Sequence, residues 1–426
     1  MKNDTITPMT TLSPQPYKGT RDWYPEDKAV QNYIFSTWKK TVEQFGFKEY
    51  GAPLLEPLEV YAAKSGDELA GEQTYAFTDR GDRTVAIRPE MTPTVSRMVA
   101  ARRQELPYPA RLYSIANFMR YERPQRGRER EFWQLNVDTF GADDVAAEAE
   151  TLLLADEIMK AFGASTNMYE IRVNSRELIE EMTRQYLGLD EVQAGQLVRL
   201  IDRKNKLPAE VFVASVREIL ETDEKVARLE AVFSAESIET LPEGLAGGAA
   251  AGRVRELFAM LSSLGVSSAR FDVTLMRGLD YYTGTVFEVF DVDPENNRSL
   301  FGGGRYDGLV GMFGVEPVSA VGFAPGLTTT ELFLRSHNLL PDLGAGVDMY
   351  VASVGDTALQ TLQLAATLRS RGISVETDTT GRKFDKLIKM AEKKGATEIV
   401  FVGANEIESG EYKAKNLTTG EERQVA

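Results

Sequence analysis

The chain has 426 residues, of which 42% are hydrophobic and 27% charged, and a formal net charge of -15. That length predicts two or three domains, and the acidic balance argues against non-specific coating of nucleic acid while leaving room for a local basic site. With no cysteine and one histidine, His337, the chain excludes thiolate metal sites, a cysteine nucleophile, a Ser-His-Asp triad and a metal site built from His or Cys.

Residues 1–15, "MKNDTITPMTTLSPQ", read as a disordered polar N-terminus without the apolar core of a signal peptide. No run of roughly 18 apolar residues follows, so no membrane span is expected, and a cytoplasmic location is. Helical spacing over residues 27–45 ends before Gly46, and Pro53 and Pro57 break the regularity of "GAPLLEPLEVY". "TYAFTDR" and "TVAIRPE" read as short strands, and "TPTVSRMVAARRQEL" as a helix. "ARLYSIANFMRYE" and "REFWQLNVDTFG" read as two strands joined by the loop "RPQRGRE". Asp143 is expected to cap a helix that carries Val145, Ala149, Leu152, Leu153 and Met159 on one face. Residues 175–255 hold helical patterns without strands, which predicts a helical insertion closed by "LPEGLAGGAAAGR", a stretch suited to a flexible connection. Strand signals resume with "ARFDVTLMR" and "TGTVFEVFDV". His337, at a helix end, reads as a solvated capping residue. Beyond "LLPDLGAGV" the pattern alternates strand and helix, a small βαβαβ unit. The fold class expected is α+β, with a mostly antiparallel sheet followed by an α/β unit.

The stretch "FMRYERPQRGRER", residues 118–130, places five arginines in an acidic chain. Arg123, Arg126 and Arg128 at a hairpin tip suit a polyanionic partner. On the following strand Phe132, Gln134, Asn136, Asp138 and Phe140 share one face, so this is either an ordinary half-exposed strand with a polar outside or a pocket floor. Hairpin pairing would bring Arg120 beside that stripe, where its fork can hold a phosphate or carboxylate. "RGLDYYTGTVFEV" adds Arg277 and two tyrosines. "FGGGRYDGLV" leaves room for something flat against the backbone, or forms a strained turn. No P-loop and no strand-flanked GxGxxG occurs.

In this order the blocks resemble the class II aminoacyl-tRNA synthetases, and within them the histidyl-tRNA synthetase family. "GAPLLEPLEVY" is similar to the first class motif, the arginine hairpin to the second and "VGFAPGL" to the third, while "RGLDYYTG" is the block particular to the histidine enzymes. "KGTRDWYP" and "FGGGRYDGLV" match as well, and the resemblance spans nearly the whole chain.

The resemblance implies a ligase that activates histidine with ATP and transfers it to the 3′ end of tRNA(His). Residues 16–174 and 256–335 would form the class II catalytic domain, 175–255 the helical insertion and 347–426 the anticodon-binding domain. Arg120 and Arg277 would be the catalytic cations over the α-phosphate, with Glu122 near the adenine and Arg128 also toward ATP. Glu90, Thr92 and Gln134 would receive the α-amino group. Asp138, where bacterial relatives usually carry glutamate, would grip the imidazole with Tyr281 and Tyr282, against a wall of Gly302, Gly303 and Gly304. Arg123, Arg126, Lys383 and Lys386 would meet tRNA, the lysines from a basic helix. Mg²⁺ and a homodimer are implied too. One position departs from the pattern. The family's third motif places an arginine on the γ-phosphate, and here Thr329 stands in its place, which predicts a weaker hold on ATP. Two alternatives lack activity: a synthetase-like regulatory subunit of an ATP phosphoribosyltransferase, and an RNA-binding regulatory paralogue.

Overall fold

The computed structural model describes residues 12–62, 68–204, 207–276, 281–296, 299–344 and 346–425. Contacts divide the chain into two compact units, Gln31–Leu340 with the residues up to Asp22, and Pro341–Ala426 with Trp23–Val30.

In chain order the strands of the first unit are β1 (Lys48–Glu49), β2 (Leu55–Pro57), β3 (Ala76–Thr78), β4 (Thr84–Ile87), β5 (Ala110–Met119), β6 (Glu131–Phe140), β7 (Tyr169–Ser175), β8 (Ala269–Phe271), β9 (Thr285–Asp291), β10 (Ser299–Arg305) and β11 (Ala320–Phe323). The main sheet has the order β1-β5-β6-β11-β10-β9-β7-β8, and β2-β4-β3 form a small antiparallel sheet. Within the main sheet the two edge pairs run parallel and the inner pairs antiparallel, as the sequence predicts.

The longest ladder forms where alternation is strongest. β5 and β6 pair without interruption from Ala110 opposite Phe140 to Met119 opposite Glu131. Neighbours on both sides then bury β6, so every residue from Leu135 to Phe140 is buried, polar ones included. The half-exposed reading therefore holds only for residues 131–134, which are partly exposed, and fails from Leu135 onward.

Asp144, rather than Asp143, caps the helix Val145–Ala161, its carboxylate accepting from the Ala147 amide at 3.0 Å. The helix begins one residue later than expected, and only the residue directly before it can reach the third amide. This helix buries Leu152, Leu154 and Ile158, and with them Glu148 and Asp156. Asp156 accepts from Tyr169 (2.7 Å) and Ser268 (2.5 Å), while Glu148 holds Arg305 through two bonds of 2.7 Å.

Helices between Arg176 and Ser263 enclose an apolar cluster that includes Leu197, Leu220, Leu229, Leu245 and Ala251. "LPEGLAGGAAAGR" is not a flexible connection: Glu243–Ala246 is a short helix, and Ala250 and Ala251 are buried in the first turn of the helix Ala249–Ser263. Alanine is the best helix former, and its small side chain lets neighbouring elements approach. Likewise the glycine triplet is strand, not turn, lying in β10. His337 ends the helix Leu327–Ser336, but it is not solvated. Its Nε2 lies 2.7 Å from Asp291 Oδ1, and its ring packs 4.6 Å from that of Phe333.

The second unit contains β12 (Met349–Ser353), β13 (Val375–Asp378), β14 (Glu398–Val402), β15 (Lys413–Asn416) and β16 (Glu422–Gln424), in the order β13-β12-β14-β15-β16. The first three are parallel, joined by the helices Ala358–Ser370 and Phe384–Lys393, because parallel neighbours need a crossover. β15 and β16 add an antiparallel edge that the βαβαβ pattern lacks. No described helix is long and apolar enough to cross a membrane.

Candidate active site

The site is built on β6. Its residues Gln134, Asn136 and Asp138 line a cavity of about 130 Å³ together with Glu90, Thr92, Arg120, Tyr281, Tyr282, Gly302 and Tyr306. Beyond it lies a cleft of about 2630 Å³, lined by Arg126, Arg128, Arg172, Arg176, Arg184 and Arg199 among others, and by nearly as many acids, Glu191 and Asp272 among them. Arg120 and Tyr282 line both spaces.

Around the cavity the strands pair through positions that no Cβ would fit. A Cβ on Gly322, which pairs with Asp138, would lie 2.4 Å from Asp138 Oδ1, and one on Gly303 would lie 2.1 Å from the Gly322 carbonyl. A Cβ on Gly304 would meet the Thr285 carbonyl at 2.4 Å and the Tyr282 ring at 2.9 Å. The three glycines thus divide their roles rather than forming one wall. Gly302 lines the cavity, Gly303 lets β10 close on β11, and Gly304 makes room for Tyr282.

Tyr281 donates to Glu90 Oε2 at 3.3 Å, which ties the turn after β4 to the tyrosine pair, and the rings of Tyr281 and Tyr282 lie 4.9 Å apart. The Arg120 Nε donates to the Pro89 carbonyl at 2.9 Å, and the guanidinium sits 5.3 Å above the Phe132 ring. Arg88 reaches Asn117 O (2.8 Å) and Ala52 O (3.0 Å), so the turn carrying Glu90 is anchored to β5.

Asp138 is the most perturbed acid of the site. Tyr306 donates to its Oδ1, yet burial penalises the charged form more than this bond relieves it and pushes the carboxyl up to about 7. Burial, with the neighbouring Asp138, also drives the Tyr306 hydroxyl well above its ordinary value. An acid that binds its proton more tightly folded than unfolded makes stability fall as pH rises from the ordinary carboxylate range to about 7, with no further loss above it. Urea midpoints of the wild type, referred to those of Asp138→Asn at each pH, are expected to decline between pH 5 and pH 8. A constant difference would mean that the carboxyl ionises as it does in water.

Arg123, Arg126 and Arg128 are exposed at the hairpin tip. Arg128 donates to Glu122 Oε2 at 2.8 Å, and Arg126 reaches Asn296 Oδ1 at 3.4 Å. Glu122 thus sits with the loop and outside the small cavity. Lys383 and Lys386 are exposed at the start of the helix Phe384–Lys393, whose Leu387 and Ala391 are buried. Arg277 lies outside the described residues, as does most of the N-terminal stretch expected to be disordered.

At the third motif, Thr329 donates to the Leu300 carbonyl at 2.7 Å and the Gly326 carbonyl at 3.0 Å, and Arg335 is bound to Glu331 at 2.8 Å. Sequence reasoning missed Tyr306 and, though it placed Asn136 on the stripe, gave it no role. Tyr306 follows the glycine strand directly, and Asn136 occupies the middle of the polar stripe. It also missed Arg130, whose backbone N–H donates to Gly19 O at 2.7 Å and whose guanidinium lies 4.1 Å over Tyr121, stitching "KGTRDW" to the hairpin.

Known proteins place this geometry. The family model for histidyl-tRNA synthetase matches residues 19–329, and an anticodon binding domain model matches 348–426. The histidine–tRNA ligase of Leptospira biflexa is 41% identical over 417 residues, covering 96% of this chain and 94% of that protein. That of Halobacterium salinarum is 38% identical over 418 residues, covering 95% and 94%. The crystal structure of histidyl-tRNA synthetase from Nostoc sp. PCC 7120 has the same fold, with a TM-score of 0.81 at 24% identity over 98% of this chain and 97% of that one. The chain belongs to the histidyl-tRNA synthetase family.

Proposed function

We propose that the chain is a histidine–tRNA ligase. It activates histidine with ATP and passes it to the 3′ end of tRNA(His). What carries the reading is the convergence of Arg120, Glu90, Thr92, Gln134 and Asp138 on one small cavity that opens beside a wide cleft lined by charges of both signs. Full-length curated relatives that bear this activity in their names support it.

In the first step a carboxylate oxygen of histidine attacks the α-phosphorus of ATP, and pyrophosphate leaves. In the second the terminal ribose hydroxyl of tRNA attacks the acyl carbon, and AMP leaves. Arg120, at the mouth of the small cavity, is placed to hold the α-phosphate where negative charge builds. Glu90 and Gln134 receive the ammonium of the amino acid, and Asp138 with the tyrosines receives its ring. Arg128 faces the phosphates from the hairpin, while Arg123 and Arg126 meet the acceptor end of the tRNA. Lys383 and Lys386 serve the anticodon side.

Among the described residues no group of three or more acids or histidines could hold a metal. Mg²⁺ is proposed to arrive on the triphosphate, since this ion binds through one or two carboxylates plus substrate phosphates and keeps several waters. When bound it would neutralise phosphate charge. A homodimer is proposed from the first class motif, where Leu54 and Leu55 are exposed, and a cytoplasmic location from the cysteine-free composition. The regulatory-subunit reading is disfavoured by the retained "RGLDYYTG" and by the anticodon-binding match, and the RNA-binding reading by the retention of Arg120, Arg277, Glu90 and Gln134 together.

Histidine-dependent exchange of labelled pyrophosphate into ATP tests the reading without tRNA. Exchange specific for histidine is expected, with an elevated ATP KM if Thr329 leaves the γ-phosphate poorly held. Folded protein that gives no exchange at saturating ATP would overturn it.

A further inference from the structure

The segment "YKGTR", residues 17–21, lines neither the small cavity nor the wide cleft. It does touch two elements that line the cleft: the arginine hairpin, through Arg126 and Arg128, and the helix Leu327–Ser336, through Thr329 and Leu332. Along its outer edge β6 pairs with β11 from Val137 to Phe140, and the Leu135 amide then donates to the Pro325 carbonyl. At the base of the hairpin the Gly19 carbonyl takes over that edge, accepting from Arg130 at 2.7 Å and Glu131 at 3.4 Å. The segment thus continues, from the other end of the chain, the cover that β11 begins.

Its shape is set locally. The amide and hydroxyl of Thr20 both donate to the Tyr17 carbonyl, at 2.9 and 2.7 Å, which folds the segment into a turn. Gly19 has a φ of +87°, and a Cβ there would lie 2.7 Å from the Arg130 side chain, so glycine is required for the close approach. The Arg130 guanidinium in turn donates to the Tyr17 hydroxyl at 2.8 Å.

Arg21 then reaches two acids on different elements. Its guanidinium donates to Glu331 Oε2 of the helix at 3.0 Å, and its Nε lies 3.8 Å from Glu129 Oε1 of the hairpin. The other oxygens are already engaged, Glu129 Oε2 by the Thr328 hydroxyl at 2.9 Å and Glu331 Oε1 by Arg335 at 2.8 Å. We infer that Arg21 is a positioning residue for the phosphate end of the ATP site: it joins the arginine hairpin to the Leu327–Ser336 helix and sets where Arg128 stands, without touching substrate. This rests on the ligase reading proposed above and extends it. Arg123, Arg126 and Arg128 are exposed, so the order of the hairpin tip comes from its base. With Thr329 where a phosphate-holding arginine is expected, the hold on ATP depends more heavily on that order. A planar fork can serve two carboxylates at once, which an ammonium does less well.

The test uses the full chain and two readouts, amide hydrogen exchange without substrates and histidine-dependent pyrophosphate exchange. In Arg21→Gln the amides of Arg130 and Glu131 are expected to exchange about 10-fold faster, while those of the β5–β6 ladder from Leu135 onward keep their wild-type rates. The ATP KM should rise about 5- to 20-fold with the histidine KM within twofold of the wild type. Arg21→Lys should fall between the two. The urea midpoint should stay near that of the wild type, since ion pairs this exposed add little to global stability. A merely structural role would instead lower the midpoint and impair both substrates together. Unchanged amide exchange at the hairpin base would overturn the inference, as would faster exchange with an ATP KM within twofold of the wild type. Should Arg21→Gln fail to fold, Tyr17→Ala, at an exposed position, puts the same two questions to the other end of the segment. Wild-type protein that gives no histidine-dependent pyrophosphate exchange would refute the function reading, and the amide exchange would still decide whether Arg21 holds the hairpin.

Discussion

Replacing Arg120 by alanine is expected to lower the rate of histidine-dependent pyrophosphate exchange by about 10³-fold, with a smaller change in the histidine KM. The residue lies just past the end of β5, lines both the small cavity and the wide cleft, and is half-buried. Its Nε is tied to the Pro89 carbonyl, and the Phe132 ring supports the guanidinium plane. The cation is thus held in position before substrate arrives, and stabilising charge that builds only in the transition state acts on the rate rather than on binding. Arg120→Lys should recover part of the loss, because it restores charge without the fork. A variant with alanine at this position that keeps wild-type turnover would remove Arg120 from the reaction and shift attention to Arg277.

The largest effect on stability is expected from Glu148→Ala, at about 3–5 kcal/mol, read as a lowered urea midpoint. Glu148 and Arg305 have side chains that are each 3% exposed and face one another through two bonds of 2.7 Å. Burial alone would lower the Arg305 pKa, but the Glu148 bond and charge outweigh it and hold the guanidinium more firmly charged than usual. Removing the acid leaves that charge facing carbonyls and the partly exposed Asp307. The double variant Glu148→Met with Arg305→Met should recover most of the loss, since two apolar groups of similar volume replace a pair whose desolvation nearly cancels its attraction. If the double variant is as unstable as the single one, the interaction matters for more than its charges. Arg305 closes β10 directly after the glycines, so a shifted Tyr306 would be the first place to look.

Periodicity made the β5–β6 hairpin and the faces of β6 legible, because ten alternating positions leave little freedom in which side chain faces where. Residue types made Arg120 and Asp138 legible, with the family resemblance supplying their roles. Burial was the quantity the sequence hid. Asn136 and Asp138 fit a half-exposed strand as well as a pocket floor until the assembled fold shows each to be 3% exposed. The same cause explains the glycine triplet, since only the partner strand shows that Gly303 meets a carbonyl rather than a ligand. "LPEGLAGGAAAGR" misled because small residues serve both loops and close helix packing. His337 misled because its partner Asp291 lies at the end of β9.

The pairing of β6 with β11 also governs when the site can exist. Asp138 meets Gly322 across a ladder whose two strands are separated by the whole helical segment and by β7 through β10. During synthesis the arginine hairpin can form as soon as its own residues are made, yet the recognition floor has no second side until residues 320–323 emerge. Contacts this distant in sequence form slowly, and until they do the polar stripe and the apolar back of β6 remain open to other chains. A nascent chain truncated before residue 320 is thus a sheet with an unpaired edge, and the interval over which it persists is set by the rate of translation from the end of β6 at Phe140 to the start of β11 at Ala320.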